Sequence, residues 1–497
     1  MAFALCFLPL VGCAKPTANE FTVVAYNVEN LFDMDGIAIY HDYTQDEPDD
    51  PFTYSRVKLL TKLQNTAAVL KHFNEGAGPE VILFQELEAD FSPETTVDDL
   101  DQFLTDYAGT TVAAMLGEGW KPEYAGLPSA AWLLKALSDA GLKGYEIVSV
   151  PAKAQDASIA HANAVFSKFP IVASTAHPLE QARDILEVEL DVEGHSLFLY
   201  DNHWKSGASN PEREPIRVQN ATVLRGLIDA RLAEDPYADI ILGGDFNSHY
   251  NHSILYPTIE TGINDVLGSQ GHELAIREQG GVDLYNLWFE LSPEDRYSEV
   301  WRGRRGTLMH MLLTRGLYDD HGIRYVDGSF DKLLLKGLNA DGIGRPLAWT
   351  FAGQTGGGTS DHFPVYARFT VGTGEKGAFV ELAEPSAGKD ALDFEMPLNY
   401  DSEEKTALKD GAFLVGISDD DLGPYVGKLF RIDASILQLG ALRLDVGGVE
   451  WSGYAPDKAV QAALEALDPD EVHPLAVQLG IWKGKRQFIV EGIIAAN

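Results

Sequence analysis

Cysteine is all but missing from this chain. Its two cysteines, Cys6 and Cys13, both fall at the very start, so the rest of the sequence can hold no disulfide and no zinc–thiolate site. Basic residues are scarce as well: 38 Lys and Arg stand against 75 Asp and Glu, a formal net charge of -37. A surface that acidic repels polyanions at a distance and works against tight nucleic-acid binding. It does not exclude chemistry on a phosphate that a divalent cation screens. Long apolar runs are also lacking. Residues 2–12 are nearly all apolar or small, yet too short to span a bilayer as a helix, and no other stretch is long and apolar enough.

What residues 2–12 do resemble is the apolar region of a signal peptide. Leu10-Val11-Gly12-Cys13 is similar to a bacterial lipobox, although no basic segment precedes it. The expectation is a protein secreted across the bacterial inner membrane and held at the cell envelope by a lipid on Cys13, touching the membrane surface without spanning it.

The acid is spread over the chain, and two local runs are denser. Residues 33–50 hold seven acids and residues 86–106 hold eight, with no Lys or Arg in either run. Neither run has EF-hand spacing, so both read as solvated acidic loops, with calcium ligation the alternative.

Short apolar runs alternate with polar punctuation from residue 21 to 372. Phe21 to Tyr26, Val81 to Phe84, Ala164 to Phe166, Ile185 to Leu190, Ser196 to Tyr200, Ile240 to Leu242, 308–313 and 363–369 read as strands. Residues 216–232 read as a helix. So do residues 56–73, where Val57, Leu60, Leu63, Ala67, Leu70 and Phe73 share one face. A stretch at 373–390, rich in Gly, Ala, Glu, Lys and Ser, suits a linker. Beyond it, residues 391–497 form a small β-rich domain, with strands at Leu414–Ile417, Lys428–Ile432, Ala441–Val446 and Gln487–Ile494 and a helix near 458–467. An OB-like barrel is one form it could take.

Polar residues recur where the strands stop. Asn27 follows the first strand, Glu86 the second, and Asn202 and His203 another. Asp245 and Asn247 follow two glycines, and Asp361-His362 follows Gly356-Gly357-Gly358-Thr359-Ser360. Each alone is an ordinary turn or surface residue. Together they suit phosphodiester hydrolysis: carboxylates hold a divalent metal, a histidine moves a proton, and amides hold phosphoryl oxygens. Arg302, Arg304 and Arg305 are the tightest basic cluster, suited to phosphate or to an exposed loop.

In this order, Asn27, Gln85-Glu86, Asn202-His203, Gly244-Asp245-Phe246-Asn247 and Ser360-Asp361-His362 resemble the endonuclease/exonuclease/phosphatase superfamily, across about residues 21–371. The resemblance implies an α/β fold of two packed β-sheets flanked by helices, a four-layer sandwich. It implies Mg²⁺ at Glu86 with Asn27 and Asp361, Mn²⁺ or Ca²⁺ being alternatives. It implies that Asp245 orients water, that Asn247 holds the phosphate, that His203 stabilises the phosphoryl group or protonates the leaving oxygen, and that His362 acts as base supported by Asp361. Asn202 and Lys205, with the arginine cluster, are expected against substrate. The implied activity is that of a surface or extracellular nuclease, with phosphomonoesterase and phospholipid phosphodiesterase as alternatives. Substrate would be a nucleic acid, a nucleotide or a lipid headgroup. The sequence departs from the family at Met309, where an Asp that helps orient the histidine is usual. Met309 implies that another carboxylate substitutes, that activity is impaired, or that the protein is a non-catalytic phosphate- or lipid-binding module. His310, beside it, reads as an ordinary strand residue.

Overall fold

The computed structural model describes residues 20–45, 53–154, 157–279, 283–301, 304–342, 344–382, 408–418, 421, 425, 429–455, 458–469, 471–482 and 485–494. Cys6, Cys13 and Arg302 lie outside the described residues, as do residues 383–390 of the expected linker.

Two seven-stranded sheets form the first unit. Its strands are β1 (Glu20–Leu31), β2 (Val81–Glu88), β3 (Glu146–Ser149), β4 (His161–Ser167), β5 (Ile171–His177), β6 (Ile185–Val192), β7 (His195–His203), β8 (Ile240–Asp245), β9 (Ser269–Gln270) and β10 (Leu284–Asn286). A separate hairpin, β11 (Glu299–Trp301) and β12 (Arg304–Gly306), precedes β13 (Met309–Leu313), β14 (His321–Tyr325), β15 (Asp331–Lys332) and β16 (Val365–Thr373). One sheet runs β14-β16-β1-β2-β4-β3 with β15 on β16, the other β5-β6-β7-β8-β13-β10-β9. The central pairs β1–β2 and β7–β8 are parallel, which sends Asn27 and Glu86 to one end of their sheet and His203 and Asp245 to one end of theirs.

The side-chain period of two builds the layers. Val23 and Ala25 of β1 pack inward against the second sheet, with Leu83, Leu199, Ile241 and Met311. Val24 and Tyr26 pack outward, beneath the helices Arg56–Leu70 and Ser129–Asp139. The helix Glu214–Glu234 covers the far side of the second sheet. Helix, sheet, sheet and helix make the expected four-layer sandwich. Strands with both faces covered explain the nearly unbroken apolar runs in the sequence. Each fully buried Val, Leu, Ile or Phe contributes on the order of 1.5–3 kcal/mol relative to exposure.

The helix at 56–70 buries Leu63, Ala67 and Leu70 of the face its apolar spacing suggests, with Phe73 just beyond it, but the buried face is rotated at its start. Val57 is exposed, while Lys58 and Lys62 are buried with Leu59, Leu63 and Thr66. Both lysines are inside because their ammonium groups find backbone carbonyls, Lys58 that of Thr53 and Lys62 that of Thr359.

The chain stays on the sandwich past β16. Gly377 N–H donates to Asp319, Val380 N–H to Tyr318 O, and Leu382 joins the inter-sheet core. The second unit is a closed barrel of β17 (Leu429–Gln438), β18 (Arg443–Val446), β19 (Val449–Tyr454), β20 (His473–Trp482) and β21 (Lys485–Ile493), in the order β17-β18-β19-β21-β20. Strands β19 and β21 pair in parallel, and the helix Lys458–Glu465 joins β19 to β20. This is the Greek-key barrel of the OB type. Leu414–Ile417, expected as a strand, falls instead at the 3-10 turn Ala412–Gly416, whose Leu414 plugs the barrel core. No described helix is long and apolar enough to cross a membrane.

Candidate active site

The ends of β1, β2, β7 and β8 and the turn before β16 meet at one edge of the sandwich. Four site residues there hold positive φ without being glycine: Glu29 (49°), Asn30 (59°), Glu86 (65°) and Asn247 (47°). Left-handed backbone at such residues costs energy and persists only where surrounding contacts hold it. Gly244 is obligatory beside them, because a Cβ there would stand 2.2 Å from Asn202 O. This lets β7 and β8 approach closely and turn Asp245 toward the site.

The carboxylates of Glu86 and Asp245 share one amide. Asn27 Nδ2 donates to Glu86 Oε1 at 3.1 Å and to Asp245 Oδ2 at 3.0 Å. Asn27 Oδ1 accepts Glu29 N–H at 2.9 Å, which fixes the amide with its NH₂ toward the acids. In this arrangement the Asn27 amide group holds the two carboxylates together. Asn30 N–H donates to Glu86 Oε2 at 3.0 Å, and Asn247 N–H to Asp245 Oδ1 at 2.8 Å.

Two histidines approach this pair from opposite sides. His203 Nε2 lies 3.7 Å from both Glu86 Oε1 and Asp245 Oδ2. His362 Nε2 lies 3.6 Å from Asp245 Oδ2 and 3.6 Å from Asp361 Oδ1. Their charges differ. Burial, with Arg183, His161 and His362 nearby, pushes His203 well below the ordinary histidine range. Burial also acts to lower His362, but Asp361, Asp245, Glu299 and Glu86 outweigh it and carry the imidazole up to about 9. His203 is the neutral ring and His362 the one that favours its proton.

Glu86, His203 and Asp245 each present a donor atom within 4.8 Å of the others. Two carboxylates and an imidazole are a donor set that a divalent cation accepts. Asp361 stands at the rim with its side chain 54 % exposed, and its turn is tied to β1 by Ser360 Oγ–H donating to Asn27 O at 2.6 Å.

The other expected residues are placed as follows. Asn202 is fully buried, donating to Tyr200 O and accepting Trp204 Nε1–H, so it braces β7. Lys205 is partly exposed, and burial, then the neighbouring Arg213 and Arg183, lower its pKa. Arg305 stacks 4.4 Å from the Tyr297 ring, and Arg304 lies on the same β11–β12 hairpin. Met309 is buried between the sheets, directly opposite Asp245 in the β13–β8 register. His310 faces the other way, bonding Ser248 O and Asn286.

Four residues that sequence reasoning passed over belong to this site. His161 opens β4 and its Nε2 lies 2.8 Å from Asn30 Oδ1, while Arg183 donates to its Nδ1 at 3.1 Å. That pairing makes Nε2 the protonated nitrogen, and burial lowers the ring's pKa to about 4. Arg183 thereby places a cation beside Glu86 and His203. Glu299 pairs with His362 through an isolated backbone bridge; burial, opposed by His362 and reinforced by Asp361 and Asp245, raises it to about 7. Lys62 lies under the turn at Thr359, 4.9 Å from the Trp349 ring; burial lowers it to about 8 against Glu29, Asp361 and Glu86. His161 carries the same signal as the others, a polar residue at a strand end.

Residues 159–370 match the model of the Endonuclease/Exonuclease/phosphatase family, a span that holds every site residue except those of β1, β2 and the Lys62 helix. A humanized D. rerio TDP2 structure is 14% identical with a TM-score of 0.36, over 71% of this chain and 99% of that one. TDP2 from C. elegans is 13% identical at a TM-score of 0.37, over 71% of this chain and 75% of that one. An endonuclease/exonuclease/phosphatase family protein from Leptotrichia buccalis is 13% identical at 0.38, over 70% and 98%. No curated protein matches the sequence.

Proposed function

We propose, because this chain belongs to the endonuclease/exonuclease/phosphatase superfamily, that it is a Mg²⁺-dependent phosphodiesterase acting on nucleic acid outside the cytoplasm. The observation that carries this reading is the convergence of Glu86, His203 and Asp245 within 4.8 Å, with His362 beside them. Glu86 and Asp245, joined by His203, would hold the metal. The buried Nδ1 atoms of His203 and His362 have no hydrogen-bond partner, which fits a site completed by further groups. A bound Mg²⁺ would neutralise phosphate charge and polarise its oxygens.

The chain's own groups supply the rest. Asp245 lies within reach of both histidines and is suited to orient an attacking water. His362, which favours its proton, is suited to donate it to the leaving oxygen. Arg183 and Lys205 give a strongly acidic protein a local cationic edge where a phosphate must sit. Asn247 is held by its Nδ2 donating to Trp204 O at 3.3 Å, at the same edge. The lipobox-like segment adds the proposal of a lipid on Cys13 at the bacterial envelope.

The test is a substrate comparison on purified protein. Single-stranded DNA and a phosphomonoester are each incubated with Mg²⁺ and with EDTA. Mg²⁺-dependent strand cleavage without release of inorganic phosphate from the monoester is the expected result. Faster hydrolysis of the monoester, or cleavage that EDTA leaves intact, overturns the proposal. Membrane fractionation of Cys13→Ser against the unaltered protein tests the anchor, and equal membrane retention of the two argues against it.

A further inference from the structure

With 75 Asp and Glu against 38 Lys and Arg, an arginine in this chain readily finds an acid. Arg217, Arg225, Arg231, Arg324 and Arg368 each pair with a carboxylate. Among the described residues, Arg183, Lys205 and Arg213 pair with none. The three follow one another along the His203 side of the site. Arg183 N–H donates to His203 O at 3.3 Å, and its guanidinium bonds only neutral groups, Trp204 O at 3.4 Å and His161 Nδ1 at 3.1 Å. Its charge acts on both Glu86 and His203. Lys205 comes two residues after His203, and Arg213 and Arg183 both lie close enough to repel its ammonium. The Arg213 side chain lies across Gly207, where a Cβ would stand 3.1 Å from Arg213 Cδ.

The loop that carries Lys205 is fixed from beneath. Asn220 Oδ1 accepts Lys205 N–H at 3.2 Å, and Arg217 Nη1–H donates to Lys205 O at 3.1 Å. Both of those side chains are fully buried, and Arg217 is itself held by Glu214 at 2.6 Å. The Lys205 backbone is thus committed while its side chain is partly exposed and that of Arg213 exposed. Like charges held together repel one another, and an anion set among them relieves the repulsion.

Tyr40 continues the strip beyond Arg183. Its ring stands edge-on to His161 at 5.5 Å and is 40 % exposed, and Arg183 and Glu86 both act on its hydroxyl. His161 in turn stacks on His203 at 6.2 Å. An exposed aromatic ring beside a row of cations offers a single strand what it needs, a stacking face for a base and charge for its backbone.

Resting on the phosphodiesterase reading, we infer that Lys205 and Arg213 bind the phosphate next to the scissile one, that Tyr40 stacks on a base of the same strand, and that the substrate is a single-stranded oligonucleotide. Arg183, against Glu86 and His203, serves the scissile phosphate. Lys205 and Arg213 stand farther along the loop, where a substrate with a single phosphate does not reach. The rest of the surface, in a chain of net charge -37, repels a second strand.

Binding without turnover tests this. A fluorescein-labelled oligothymidylate of about ten nucleotides is titrated with the full chain in EDTA at low salt, and anisotropy gives Kd. Arg213→Gln and Lys205→Gln should each raise Kd about 10-fold, the scale of one charge-assisted bond to phosphate. Each should also lower the slope of log Kd against log salt by about 0.7, the share of one phosphate in a single strand. Tyr40→Ala should raise Kd about 10-fold through lost stacking. Tripolyphosphate, which has charge and no base, should compete at least ~10-fold more weakly than unlabelled oligothymidylate. The inference is overturned if both cation variants bind with the Kd and salt slope of the unaltered protein, or if tripolyphosphate competes as well as the oligonucleotide. Absence of Mg²⁺-dependent hydrolysis of bis(p-nitrophenyl) phosphate by the unaltered protein would overturn the reading beneath it. Hydrolysis of that diester, with cation variants that bind the oligonucleotide normally, would overturn the second phosphate subsite alone.

Discussion

Glu299 and His362 face each other across a single antiparallel bridge, a pairing between the β11–β12 hairpin and the turn that precedes β16. It bears on the departure at Met309. Met309 sits in the apolar interior beneath Asp245, and a thioether there can neither fix nor charge the histidine. Glu299 brings a carboxylate to His362 from another element. It acts through its charge, since His362 Nδ1 has no hydrogen-bond partner.

Replacing Glu299 should therefore be read out on the ring itself. In Glu299→Gln the pKa of His362, about 9 in the unaltered protein, should fall by roughly one unit, as removal of one near charge implies. The measurement is NMR titration of the imidazole in the presence of chelator. An unchanged titration would mean that Asp361, Asp245 and Glu86 alone set the proton affinity of His362.

Lys62 should prove to be a positioning residue. Its ammonium bonds Thr359 O under the turn that presents Asp361 and His362, and it lies among Glu29, Asp361 and Glu86. Lys62→Met leaves that carbonyl and those acids without their cation. We expect a stability loss of about 1–3 kcal/mol and a fall in kcat of about 10-fold or more, because misplacement of reacting groups is costly. A variant that melts lower but keeps its kcat would confine Lys62 to a structural role.

The contacts after β16 set where the sandwich ends. A chain stopped at Leu382 keeps the bond of Lys376 to Asp235 at 2.5 Å, the Val380–Tyr318 backbone bond and the buried Leu382. It should fold and hydrolyse a small diester without the barrel, because every site residue precedes that point. A chain stopped at 374 should melt at least a few degrees lower, as loss of a buried leucine and several hydrogen bonds implies. Loss of diesterase activity from the folded 382-residue chain would place part of the site in the barrel.

Asp239 predicts a pH dependence unconnected with the site. Burial holds its carboxyl up at about 8, although Ile323 N–H donates to it at 2.7 Å. The folded state thus keeps a proton that the unfolded chain, near 4, releases. Stability contributed by this group is present below about pH 4 and is lost as pH rises toward 8. Asp239→Asn keeps the acceptor oxygen and removes the charge. At pH 7.5 it should melt a few degrees higher than the unaltered protein, with the gap closing near pH 5. A melting temperature equal to the unaltered protein's across that range would refute the assignment.

Much of this was readable from sequence, for a definite reason. Asn27, Glu86, His203, Asp245 and Asn247 follow apolar runs and Asp361-His362 directly precede one, and a fully buried strand points the polar residues at its ends to the sheet edge. That rule places residues on an edge and cannot say which edges coincide. The contact of Asp33 N–H with Glu88 Oε2 at 2.8 Å, just past Glu86, came from the parallel register of β1 on β2, which no local pattern encodes. Arg183, in the turn before β6, and Glu299, on a two-stranded hairpin, lack apolar runs to mark them. Lys62 was hidden because spacing arguments assign lysine to the solvent side, whereas here a carbonyl and nearby acids hold it inside.

Glu86, held by Asn27 Nδ2 and the Asn30 amide at the end of β2, is the carboxylate at which metal and phosphate are proposed to meet. The direct test is the initial rate of Mg²⁺-dependent hydrolysis of bis(p-nitrophenyl) phosphate by the unaltered protein and by Glu86→Gln, each checked for folding by circular dichroism and melting. Glutamine keeps the shape and removes the charge. The account predicts that the folded variant loses at least ~100-fold of the rate, the scale at which loss of one preorganised electrostatic group is felt. A folded Glu86→Gln protein that hydrolyses the diester at the unaltered rate would contradict it.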